Sequence, residues 1–145
     1  MNNLKCKYHG STWNDANVVS LTIKDLWASV PKADKYKGKA FYTPVMKDIK
    51  ENGLCFPLLV VEATHKQLID EKKRYKSAIL DLPFDENDTD LDKKIYVVWG
   101  GSNRVRIAEE LGYDHIDCVI LINGQFDKAR GMQRLHRKPY QKKFY

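Results

Sequence analysis

"YVVWGGSNRVRIAEELGYDHIDCVILI", Tyr96 to Ile122, decides how this chain is read. Tyr96 to Trp99 carry the β-branched and aromatic density of a strand. The run stops at Gly100-Gly101, and apolar residues then recur at helical spacing, Val105 with Ala108 and Ile107 with Leu111. Gly112 stands where a left-handed helix cap is wanted, and "HIDCVILI", 115–122, reads as another strand. The pattern predicts strand, helix and strand, with Ser102, Asn103 and Arg104 placed at the first hinge.

That placement has a chemical meaning. The first amides of a helix lack partners within it, and the aligned peptide dipoles leave partial positive charge there. Glycines at 100 and 101 let the backbone turn and approach an anion closely. Arg104 adds a planar fork of donors that matches phosphate geometry, its head group expected to face this cradle. Arg106 adds a second charge, and Ser102 and Asn103 a hydroxyl and an amide. A second reading of the same residues needs no ligand: Ser102 or Asn103 as a helix cap, the glycines as a tight turn. Both stay open at this point. The stretch is neither a Walker loop nor a dinucleotide fingerprint, lacking Gly-Lys-Ser/Thr and a third spaced glycine.

Working outward, "FPLLVV", 56–61, is a short apolar run of the kind buried on both faces of a sheet. A helix is expected before it, from Phe41 to Asn52, with Pro44 in its first turn and Gly53 as its cap. "VVSLTI", 18–23, reads as a strand, the lysine-rich stretch 24–42 as mostly loop, and 1–17 as an arm. Residues 64–94, a charged amphipathic stretch followed by an acidic loop, are read as an insertion between core strands. The loop is no calcium site: counted from Asp85 it lacks the turn glycine, and its twelfth position is Tyr96. These elements predict one α+β domain over 18–124 with a mixed sheet, short helices and one insertion.

Composition narrows the class. With 43% hydrophobic and 30% charged residues and no apolar run of 18, the chain reads as a soluble domain without a membrane span. The start, "MNNLKCKYHG", lacks a signal-peptide core. Three unevenly spaced cysteines, Cys6, Cys55 and Cys118, suit a reducing cytoplasm, with Cys55 and Cys118 read as small buried hydrophobes. The four histidines are scattered, His65 is expected to be exposed, and no metal ligand set is assigned. Of 25 Lys and Arg residues, seven (Lys128, Arg130, Arg134, Arg137, Lys138, Lys142 and Lys143) lie between 128 and 145, where no acidic residue occurs. The net charge of +6 is thus the charge of the tail, 125–145, and the rest is nearly neutral. Basic residues interleaved with Tyr140, Phe144 and Tyr145 suit non-specific contact with DNA.

"ENGLCFPLLVV" and "YVVWGGSNRVRIAEELGYDHIDCVIL" together resemble the ParB N-terminal and sulfiredoxin-like superfamily, which includes ParB-like nucleases. The shared order is a helix ending in glycine, a hydrophobic-Pro-hydrophobic strand, strand–Gly–x–x–Arg–helix–Gly, and a final hydrophobic strand. The resemblance implies a nucleotide triphosphate, CTP or ATP with Mg2+, at the Gly-x-x-Arg turn. Gly101 and Arg104 match the core of that motif, and Gly53 and Pro57 the strand bordering the pocket. Two departures stand out. The reactive cysteine of sulfiredoxins is Ser102 here, and the Glu-Arg of ParB's "GERR" is Ser102-Asn103.

The function expected is therefore nucleotide or phosphate binding by a ParB-like domain acting at DNA, with NTP hydrolysis or phosphoryl transfer as the class if it is an enzyme. No catalytic base is assigned. The alternatives are a ParB-like DNA nuclease and a non-catalytic nucleic-acid- or protein-binding module. The size and lysine-rich composition suit a phage or mobile-element protein in the host cytoplasm.

Overall fold

The computed structural model describes residues 3–5, 18–28, 42–54, 57–74, 82–100 and 102–133. In chain order the elements are β1 (Asn3–Leu4), β2 (Val18–Thr22), a 3-10 turn (Ile23–Asp25), β3 (Leu26–Ala28), α1 (Tyr42–Asn52), β4 (Leu58–Thr64), α2 (His65–Arg74), β5 (Lys94–Gly100), α3 (Ser102–Glu110) and β6 (His115–Leu121). Residues 126–133 form a further helix, α4.

Leu58, Leu59, Val60 and Val61 are all 0% exposed, which explains the apolar run without alternation: β4 is a central strand covered on both faces. It runs antiparallel to β5 and parallel to β6. β3 extends the sheet parallel to β5. β6 serves three partners, β2 antiparallel along His115–Val119, β1 parallel at His115–Ile116, and β4 from Cys118 onward. Because β2 occupies one edge, β1 and β4 follow one another along the other.

The pleat sorts apolar side chains into two cores. Leu58, Val60, Val98, Ile116 and Cys118 meet Val45 and Ile49 of α1 and Val105, Ile107 and Ala108 of α3. On the opposite face Leu59, Val61, Val97, Val119 and Leu121 meet Leu68 of α2 and Phe126 and Ala129 of α4. The result is the expected α+β class, a mixed sheet between layers of short helices. Three short elements lie in stretches that read as arm, loop and tail: β1, β3 and α4.

Helix α2 packs against the sheet through Leu68, and the acidic loop closes over its start. Thr64 and Gln67 form a reciprocal capping box, the Gln67 amide donating to Thr64 Oγ1 at 3.1 Å and the Thr64 amide to Gln67 Oε1 at 2.8 Å. The next amides, of His65 and Lys66, donate to the carbonyls of Lys93 and Leu91. Asp85 and Asp90 accept from the amides two residues on, fixing local turns.

His65 corrects the expectation of exposure: it is only 6% exposed, stacked on Phe84 at 3.8 Å, with Nδ1 against Thr89 Oγ1. Burial holds its pKa below the ordinary value, the charge of Lys93 acting the same way and Asp90 opposing. The unfolded chain therefore takes up a proton before the folded one, so this contribution is complete above about pH 6.5 and is lost as pH falls below it. The melting temperature is expected to drop from pH 7.5 to 5.5, and a His65→Asn variant to show a flatter profile over that range. Parallel profiles would remove His65 from the account.

Candidate functional site

The hinge forms where β5 gives way to α3. Val60 pairs with Val98 and Leu59 with Gly100, so Trp99 is an extra residue in β5, a bulge immediately before the turn. Bulges bend a strand and re-aim the residues that follow. Gly100 is the last residue of β5 and Ser102 the first of α3, while Gly101 lies outside the described residues. At its other end α3 closes on Gly112 at φ +89°, the amides of Gly112 and Tyr113 donating to Glu109 and Ala108.

The pairing of β4 with β5 brings a further expected residue to the hinge. Leu59 opposite Gly100 brings the start of β4, and the buried Pro57 just before it, to the hinge edge. Gly53 ends α1 at φ +75°, its amide donating to Ile49 at 2.8 Å. Of the two positions expected to border a pocket, Pro57 stands at the hinge edge, and the Lys5 carbonyl lies 3.9 Å from where a Cβ at Gly53 would be.

The hinge side chains divide. Asn103 is half-buried, and its Oδ1 is buried without a hydrogen-bond partner among the described residues. Arg104 is 4% exposed, so its guanidinium belongs to the interior rather than to an open surface. A cation so placed must be met by charge or hydrogen bonds, and Arg104 has partners. Arg106 turns along the helix to Glu109, Nη1 to Oε1 3.3 Å. No acidic residue stands in the first turn of α3, so nothing in that turn opposes the positive end of its dipole.

On the other face lies an ion-pair network with no sequence signal, because its partners are far apart in the chain. Glu71 of α2, 5% exposed, accepts from Arg130 of α4 at 2.6 Å. The guanidinium of Arg130 also lies over the Trp99 ring, 5.2 Å from its centroid. Gln133 donates to the carbonyl of Trp99 at 3.3 Å. The bulge is thus held from behind by α4. Of the basic residues assigned to nucleic acid, Arg130 is engaged in this network and Lys128 is exposed on α4. Arg134, Arg137, Lys138, Lys142 and Lys143 lie outside the described residues.

Among the described residues no group of three or more His, Cys, Asp or Glu is placed to hold a metal ion, and no helix is long and apolar enough to cross a membrane. Cys118 is buried, its thiol donating to the Ile116 carbonyl at 3.4 Å, and Cys55 lies outside the described residues.

No protein-family model matches the chain, and no curated protein matches it. Among solved structures it is similar to a sulfiredoxin from Arabidopsis thaliana, with 16% sequence identity and a TM-score of 0.42, covering 79% of this chain and 94% of that one.

Proposed function

We propose that the chain binds the phosphates of a nucleotide triphosphate, CTP or ATP, at Gly100–Arg104, and acts at DNA through its basic end. The observation that carries this reading is the start of α3: an acid-free first turn after a bulge, with Arg104 buried and Asn103 Oδ1 buried without a partner among the described residues. The amides of 102–104 would hold phosphate oxygens, Arg104 would offset their charge, and the Asn103 oxygen would accept from a ligand hydroxyl or amine. Magnesium fits as an ion carried by the phosphates themselves, since such sites draw most of their ligands from nucleotide and water. If a reaction follows, phosphoryl transfer or hydrolysis is its class.

The test is thermal stability with CTP, ATP, GTP and ADP plus magnesium. A nucleotide at a hundred times its dissociation constant should add about 2.7 kcal/mol, a shift of roughly 5–10 °C. Asn103→Asp is expected to abolish that shift, read against the variant's own ligand-free melting temperature, because a carboxylate there repels phosphate while the helix dipole offsets part of the cost of charging a buried oxygen. A full nucleotide shift in this variant would overturn the assignment.

A further inference from the structure

Helices α2 and α4 lie side by side on one face of the sheet, and their carboxylates are neutralised within that layer. Asp70 receives Lys66 at 2.9 Å, Glu71 receives Arg130 at 2.6 Å, and Asp127 receives Arg74 at 3.1 Å and Arg130 at 2.6 Å. Lys72, Lys73 and Lys128 enter no ion pair among the described residues, and all three reach solvent. The layer therefore presents net positive charge on a rigid base, anchored by Leu68 and Ala129 at 0% exposure. Beyond α4 the sequence adds Arg134, Arg137, Lys138, Lys142 and Lys143 with no acid.

From this we infer that the outer face of α2 and α4 is a nucleic-acid-binding surface, with Lys72, Lys73 and Lys128 as its phosphate contacts. The inference rests on the proposal that the basic end meets nucleic acid, and extends that contact to α2. Lysines are flexible point charges that neutralise phosphates without reading bases, so the partner is a nucleic-acid backbone of any sequence. A lipid surface fits less well. Interfacial helices expose an apolar face, whereas the large exposed apolar residues described, Val19, Leu91 and Ile122, lie on neither helix.

The experiment is fluorescence anisotropy of the full chain with a labelled duplex and a labelled single strand, between about 50 and 200 mM salt. The variant Lys72→Gln, Lys73→Gln, Lys128→Gln is expected to lower the salt slope by about three, one for each lysine, equally on unrelated sequences. Glutamine keeps helix propensity, so far-UV circular dichroism should not change. A lower melting temperature with an unchanged slope would mean that Lys72 and Lys73 serve only the end of their helix, and would overturn the inference.

A second variant, with Arg134, Arg137, Lys138, Lys142 and Lys143 changed to Gln, separates the two ideas. If it weakens binding while the triple variant does not, the tail acts alone and the surface is refuted. If wild type binds neither probe at low salt, the nucleic-acid reading falls with it. Tighter binding to phosphatidylserine vesicles than to either probe, lost in the triple variant, would assign the face to membranes and overturn the inference too.

Discussion

Arg104→Ala should lower the stability of the free protein by about 3–5 kcal/mol, the cost of breaking a buried charged interaction and leaving its partners uncompensated. The side chain is 4% exposed, in a helix whose neighbouring Val105, Ile107 and Ala108 are at or below 1%. Urea unfolding measures the effect directly, and the melting temperature should fall by on the order of 10 °C. Arg104→Lys should recover only part of the loss, since a compact ammonium cannot reproduce the planar fork. A loss below about 1 kcal/mol would show that the guanidinium is not an interior anchor, and would return it to the open cradle expected from sequence. The ligand test is carried by Asn103→Asp for this reason: Arg104→Ala confounds binding with folding.

Glu71→Ala ranks next. It takes from Arg130, which lies over the Trp99 ring, its buried carboxylate partner, while the exposed Asp127 remains. Because Arg130 is 21% exposed, water recovers part of the cost, and about 2–3 kcal/mol is expected rather than the full range for a closed pair. The cycle of Glu71→Ala, Arg130→Ala and the double variant isolates the interaction, which should exceed 1 kcal/mol. A coupling near zero would reduce this pair to a geometric coincidence.

How much of this was legible in the sequence follows from the range of the forces involved. The hinge, α3, β4, β6 and the glycine caps at 53 and 112 were readable because local periodicity and backbone need agree there. β3 was not, since Leu26–Ala28 is a strand only by pairing with Tyr96–Val98, far along the chain. β1 has two residues and no pattern at all. In α4 the spacing of Phe126, Ala129 and Met132 was visible, but Gly131 and the surrounding cations suggested an unstructured end. Of the candidate site, the place of Pro57 beside the hinge follows from the pairing of Leu59 with Gly100, in the strand order that the motifs indicated. The burial of Arg104 and His65 did not show, because residue type sets the cost of burying a charge but not whether partners await it.

Strand β6 has a consequence for how the molecule is made. It seats both N-terminal strands, with Thr22 joined to His115 across 93 residues and Asn3 to Asp117 across 114. A nascent chain halted at Tyr113 has β3, β4 and β5 available to associate, but no place for β1 or β2. Synthesis must pass Val119 before β1 and β2 can both settle, so assembly of this sheet closes late.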